Sequence, residues 1–381
     1  MHVAARLAAY YFAFFAHAGA YVSYFALFLA GRGLAAHEIA FALAMPQAAR
    51  IVAPALWGWL ADALGGRYPG ARRAIVVFSG FAMLAGFGAI YFQHTAGAIA
   101  LSLLLISLFS AGAGPLVEAI TFSVLKGGIG QYGPIRLWGS VGFILAVLGT
   151  GAWLDYHGTS ALIAIAILLS AVVCAVSFAL PDGPVLKLEH GGEAFGAVLR
   201  RPAVLAFFGA CFLMTAAHGT MYVFYSIYLE QAGYSKTVTG VLLTLGVLAE
   251  ILLFLRLPQL LRRFSLRTVL LASFACAVAR FPAIGWGVDM LWLLAVAQLL
   301  HAATFGAFHS ACVAAVHRLF PGPLASRGQA LYSSIAYGLG GATGSLVAGA
   351  AWEPLGASAS FAISALFALL GAALVAWKVR V

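Results

Sequence analysis

Charge is what this sequence has least of. Asp, Glu, Lys and Arg make up 8% of 381 residues, against about 25% in soluble domains, and the mean hydropathy is +1.01. A water-soluble globular chain is excluded. Period-two alternation is missing as well, which argues against a membrane barrel and leaves helices, because lipid offers backbone groups no water. Cysteine is sparse: Cys174, Cys211, Cys276 and Cys312 stand singly in apolar runs, with no C-x-x-C and no histidine at zinc spacing. They read as small buried apolar residues, not as a metal or redox centre. No Walker loop, H-E-x-x-H or G-x-S-x-G occurs, so an enzyme or an ATP-driven pump lacks its chemistry and no cofactor is expected. A literal G-x-G-x-x-G at Gly128, Gly130 and Gly133 joins two apolar segments, not a strand and a helix, and carries no phosphate site.

What is there is apolar sequence in membrane-length segments. A hydrocarbon core of about 30 Å takes roughly 20 apolar residues per helix. Polar, glycine and proline clusters mark off twelve segments, at 7–30, 39–61, 74–92, 97–120, 134–155, 160–180, 202–229, 238–258, 268–288, 291–316, 328–352 and 357–377. The first runs past signal-peptide length and reads as an uncleaved span. The longest polar interruption, 181–201, has six segments on either side. The expected fold is all-α, a polytopic membrane protein of twelve transmembrane helices in two pseudo-symmetric six-helix bundles. These are an N-terminal bundle at 1–181, a cytoplasmic linker at 182–201 and a C-terminal bundle at 202–381.

The net charge of +10 follows membrane topology, not nucleic acid. With a cytoplasmic N-terminus, all but four of the 21 Lys and Arg fall on the inner side; Arg32 and Lys236 lie outside, and Arg50 and Arg280 lie within spans. The positive-inside rule then puts both termini in the cytoplasm, with anionic lipid headgroups as partners of the basic loops. The halves also echo one another. His17, Tyr21 and Tyr24 match His218, Tyr222 and Tyr225 at an offset of 201, and Gly33 and Arg50 match Gly233 and Glu250 at 200. Such internal symmetry points to a transporter with its site near the bilayer midplane.

Arg50, Glu118, Arg136, Glu250 and Arg280 are charged residues flanked by apolar sequence. At the centre of a span each Asp, Lys or Arg costs about 2.5–3.5 kcal/mol, so these groups must pair or face water. Glu118 closes one segment and Arg136 opens the next, which makes them the expected pair at a substrate site. His301 is placed to carry a proton near neutral pH, while His17 and His309 read as hydrogen-bonded packing residues. In the connection at 58–73, Asp62 at a helix end stands with Arg67, Arg72 and Arg73 as a candidate cytoplasmic latch. Gly340 and Gly344 have the spacing that lets helices approach closely.

The stretch GWLADALGGR, with Gly58, Leu60, Asp62, Gly65 and Arg67, resembles the major facilitator superfamily signature between helices two and three, and the likeness runs the full length. The insertion YPGA before Arg72 departs from that pattern. QYGPIRLWGSVGF, AHGTMYVFYSIYLEQAGYS, LGVLAEILLF and QLLHAATFGAFHS resemble the phenylpropionate permease branch, relatives of the lactose permease group. The lactose permease holds its sugar on a Glu in helix four and an Arg in helix five, with the separation of eighteen seen between Glu118 and Arg136. Glu250 resembles its second sugar-contacting acid, Arg280 its helix-nine Arg and His301 its helix-ten His. Its proton-carrying acid is replaced here by Thr304.

This resemblance implies a secondary transporter that imports a small aromatic acid across the inner membrane by alternating access and proton symport. With Thr304 in place of the family's acid the proton needs another carrier. Glu250, an acid whose charged form a low-dielectric cavity disfavours, is the choice, with Arg280 and His301 beside it and uncoupled facilitation as the alternative. Asp62 and Arg67 are the expected gate. Arg136 and Arg50 would meet the carboxylate; Tyr21, Tyr24, Tyr222 and Tyr225 would flank the ring. The expected partners are the solute, protons and lipid, with no nucleic acid, and a monomer is expected. A sugar or nucleoside symporter is the same-class alternative, since Glu118 and Arg136 offer acceptors and donors to hydroxyls. A non-transporting sensor is the alternative of another class, and it lacks a signalling domain in the linker or termini.

Overall fold

A backbone group left unbonded in lipid costs several kcal/mol, so apolar sequence of this length is driven into helices. The computed structural model describes residues 3–65, 68, 70–125, 132–181 and 195–379, apart from the side chains of Asp62 and Pro323. Among these residues there is no strand, and eleven helical stretches are long and apolar enough to cross a membrane. They are α1 (Val3–Gly31), α2 (Ala36–Ala61), α3 (Ala71–Tyr91), α4 (Ala96–Val124), α5 (Tyr132–His157), α6 (Thr159–Ser177), α7 (Pro202–Gln231), α8 (Lys236–Arg263), α9 (Leu266–Trp286), α10 (Leu291–Leu319) and a last stretch, Ala325–Lys378. That last stretch has 54 residues, about 80 Å of helix, far more than one crossing needs. It breaks at Gly356, whose φ of 82° and ψ of 170° suit only glycine, two residues after Pro354. Its arms, 325–355 and 357–378, are α11 and α12. Among the described residues, twelve helices are therefore of the length and apolarity that crossing a membrane takes, in keeping with the twelve that the sequence predicts.

The chain divides into two compact units. Unit 1 comprises Met1–Ala35, Ala48–Lys187 and Ser235–Gly240; unit 2 comprises Ala36–Gln47, Leu188–Tyr234 and Val241–Val381. Both are built on one plan, α1 on α5 and α3 on α6 in unit 1, α7 on α11 and α9 on α12 in unit 2. Without a hydrophobic driving force between helices in lipid, close packing carries the association. A Cβ on Gly19 of α1 would lie 2.7 Å from the Phe143 carbonyl oxygen of α5, and one on Gly219 of α7 would lie 2.1 Å from the Gly344 carbonyl carbon of α11. These contacts correspond at offsets of 200 and 201, within one residue of the 201 read from His17 to Tyr24 in the sequence. The close approach expected at Gly340 and Gly344 is present too, against the carbonyl oxygens of Phe212 and Ala216.

Two helix starts are capped by carboxylates from distant helices. Asp155 of α5 accepts from the backbone N–H of Lys236 at 2.8 Å and of Thr237 at 2.9 Å, and from the Thr237 hydroxyl at 2.6 Å, all within unit 1. Glu353 of α11 accepts from the N–H of Ala36, the first residue of α2, at 2.8 Å within unit 2. Each satisfies donors that a helix N-terminus leaves open and places negative charge at its positive end. Trp153 and Tyr156 of α5, Trp286 of α9, Trp292 of α10 and Trp377 of α12 are exposed near helix ends, where membrane interfaces favour aromatic rings.

Several spans are interrupted. The regular α-helical hydrogen-bond pattern lapses at 50–52 in α2, at 111–112 in α4 and at His218 in α7, the backbone of Ala111, Gly112 and His218 staying in the right-handed helical region, and the chain widens to a π-helix at Ala302–Ala307 in α10 and Ser334–Gly340 in α11. Such breaks and π-segments recur at functional sites in membrane helices; here the first contains Arg50, and Arg280 is bordered by His218 and by Thr304 of the π-segment Ala302–Ala307.

Candidate functional site

In unit 1 the polar groups collect where α1, α4 and α5 meet. Glu118 lies in the arm of α4 that follows the break at 111–112. Its Oε1 accepts a hydrogen bond from the Tyr132 hydroxyl at 3.2 Å, and the Tyr132 ring stacks on Phe122 with centroids 4.7 Å apart. One helical turn on, the Arg136 guanidinium lies 4.0 Å from the ring centroid of Phe15 and 5.4 Å from that of Tyr11. Gly139 makes room for it: a Cβ there would come within 2.8 Å of Arg136 Nη1. Tyr11 pairs in turn with the Thr121 hydroxyl at 3.2 Å. Glu118 thus meets Tyr132, Arg136 meets Tyr11, and no direct ion pair joins the two charges. Stacking over two aromatic faces supplies part of what a carboxylate would give the guanidinium.

In unit 2 the counterpart is built on Arg280 of α9, which is 0% exposed. Its Nε donates to the Ala297 carbonyl at 2.8 Å, and its Nη1 donates to Thr304 Oγ1 at 2.8 Å and lies 3.4 Å from His218 Nε2. Its Nη2 faces Met221 Sδ at 3.0 Å and Gln298 Oε1 at 3.3 Å. His218 Nδ1 sits 2.8 Å from the Met214 carbonyl, so Nδ1 carries the ring proton and Nε2 turns its lone pair to Arg280. Every partner is neutral, and among the described residues no carboxylate lies within ion-pair distance of Arg280. A few ångströms on, His301 Nε2 is 3.8 Å from Glu250 Oε2, the two side chains 16% and 15% exposed. Gly306, inside the π-segment, leaves space for Glu250, whose Cγ would be 3.0 Å from a Cβ there. Further along α10, His309 Nδ1 lies 3.0 Å from the hydroxyls of both Tyr332 and Tyr337.

The remaining expected site residues divide. Arg50 is exposed at the break in α2 and acts electrostatically on Tyr21, which packs against His17 and Phe87. Tyr222 is partly exposed and lines a small pocket with His218, Thr304, Phe305, Phe308 and Tyr337. Tyr24 is committed to packing: it is 0% exposed, and its hydroxyl reaches the Val147 carbonyl at 2.9 Å and that of Lys236 at 3.1 Å. Tyr225 is 3% exposed and lies against Gln298, again a packing position. The side chain of Asp62 and the whole of Arg67 lie outside the described residues. Sequence reasoning missed Tyr132, Gln298 and the Tyr332–Tyr337 pair around His309. Tyr132 stands four before Arg136, and Gln298 is a polar residue three before His301 in an apolar run; both spacings were readable signals.

Two repeated units of broken membrane helices, each with charge at its centre, define a solute carrier of the major facilitator type. The chain belongs to the MFS_1 like family, whose description matches residues 4–363, and it is a multi-pass membrane transporter. It is similar to the Escherichia coli (strain K12) protein named "Probable 3-phenylpropionic acid transporter", 31% identical over 95% of this chain and 94% of that one. It is also similar to the maltose permease of Geobacillus stearothermophilus, 26% identical over 83% of this chain and 79% of that one. A crystal structure of a point mutant of the nucleoside transporter NupG shares the fold, with a TM-score of 0.89 at 18% identity and full coverage of both chains.

Proposed function

We propose that the protein is a secondary active transporter for a small aromatic carboxylate, of which phenylpropionate is the type, working by alternating access and proton symport. The observation that carries the reading is the Arg136 guanidinium on the face of Phe15 at 4.0 Å, with Glu118 held by Tyr132 nearby. Such a group meets both halves of the solute, the ring by stacking and the polar end by hydrogen bonds. The similarity to the Escherichia coli protein supports the same class. Glu250 and His301 are the pair for the coupled proton, and the distribution of basic residues supports an inner-membrane protein with both termini in the cytoplasm. Glu118, an acceptor able to bind hydroxyls, supports a sugar or nucleoside symporter as the second reading, as do the maltose and nucleoside carriers among the relatives.

The test is counterflow in proteoliposomes loaded in turn with 3-phenylpropionate, maltose or uridine. Exchange of the labelled acid is expected, reduced about tenfold or more by Arg136→Gln, as loss of a partly desolvated cation stacked on aromatic rings requires. Exchange of the sugar or the nucleoside with none of the acid would overturn the carboxylate reading.

A further inference from the structure

We propose that the carboxylate of the substrate is anchored by Arg280, against its Nη1 edge and between His218 and Thr304. This rests on the aromatic carboxylate reading above and moves the anchor from Arg136, where the sequence placed it. The guanidinium of Arg280 is fully buried and surrounded by a carbonyl, a hydroxyl, an imidazole, a thioether and an amide. Those groups satisfy its hydrogen bonds and leave its charge uncompensated. One of them, the Met221 sulfur, is a weak acceptor, and another, the imidazole nitrogen, is 3.4 Å away. The partner that fits the fork of a guanidinium is a carboxylate, through charge-assisted and often paired bonds. Arg136 differs, because Glu118 is held in its neighbourhood and its own cation lies on aromatic faces.

Arg280 is fully buried, and two of its partners stand between it and a pocket. His218 and Thr304, the two partners of Nη1, are walls of the small pocket that Tyr222, Phe305 and Phe308 also line. A carboxylate in that pocket reaches Nη1 by turning the Thr304 hydroxyl aside, and the attached ring is left among the aromatic residues. Thr304 and Phe305 ride on the π-segment Ala302–Ala307, a local widening that can relax without unwinding the span.

The experiment measures binding of 3-phenylpropionate and of its uncharged amide to the purified full-length chain by calorimetry. The wild-type chain is expected to favour the acid by roughly 10- to 100-fold, the range for hydrogen bonds to a charged group. Arg280→Gln should erase that preference, and Thr304→Asp, which supplies a resident carboxylate to Arg280, should lose the acid and keep the amide. Arg136→Gln should weaken both ligands alike. Preference for the acid that survives in Arg280→Gln or Thr304→Asp, or that disappears only in Arg136→Gln, overturns the assignment while the carboxylate reading stands. A wild-type chain that binds no acid removes that reading and the anchor together. Should Arg280→Gln fail to fold in a thermal scan, Thr304→Asp decides alone, its new charge being matched by Arg280.

Discussion

Glu250 and His301 stand 3.8 Å apart with a little exposure on each, close enough to hand a proton between carboxylate and imidazole with one small rotation. A Gln at 250 imitates the carboxylate with its proton in place. We therefore expect Glu250→Gln to keep solute exchange while losing about tenfold or more of the uphill uptake driven by a pH gradient, the size of a typical coupling energy; unchanged accumulation in vesicles would remove Glu250 from the proton path. At this scale the sequence was informative about the charges and silent about their surroundings. The penalty for charge in a membrane singles out Arg50, Glu118, Arg136, Glu250 and Arg280 without any structure. The company they keep is decided by helix packing. Tyr132 holds Glu118, and Thr304, Gln298 and Met221 hold Arg280, only because α1, α4 and α5 converge in one unit and α7, α9 and α10 in the other. The same packing takes Tyr24 and Tyr225 out of the expected ring-binding set, since hydropathy alone cannot tell which side of a helix faces a cavity.

Among the elements, the tightest contacts are made by glycine. Gly219→Ala would press a methyl group onto the backbone of Gly344, where the nearest atom lies 2.1 Å from the new Cβ. Backbone cannot yield as a flexible side chain does, so a loss of about 1–3 kcal/mol is expected, the usual cost of overpacking. Gly88→Ala in α3 meets nothing within 4 Å and should instead gain roughly 0.5–1 kcal/mol from helix propensity. Thermal unfolding of the two variants in detergent checks the contrast, and equal behaviour would show that the α7–α11 contact is looser than described. The twelve helices themselves were legible because each needs an apolar run of bilayer length, and Pro354 with Gly356 marks the division of the last stretch. The interruptions at 50–52, at 111–112 and at His218, and the two π-segments, were not. An apolar run reads alike whether its helix is continuous or broken, and a π-turn is set by neighbours across the bundle.

For the whole molecule, the distribution of Lys and Arg makes a directional statement. A fluorescent protein that matures only in the cytoplasm, fused after Val381, should be bright, and an alkaline phosphatase active only outside, fused at the same point, should be silent. The reverse pattern would invert the topology. The repeat unites the halves at this scale: Gly33 and Gly233 both have positive φ, at 82° and 85°, and the α1–α5 contact is repeated as α7–α11.

The carboxylate caps set the two halves apart in time. Lys236 follows Asp155 by 81 residues, so the start of α8 finds its cap already made as it leaves the ribosome. Ala36 precedes Glu353 by 317 residues, and at a synthesis rate of about 5–20 residues per second the start of α2 waits roughly 16–60 s for its own. During that interval water or lipid headgroups must bond its open N–H groups. A chain with one plan used twice is thus assembled in two unlike orders, and release of the nascent protein before α11 is complete leaves the beginning of its second helix as the part still unfinished.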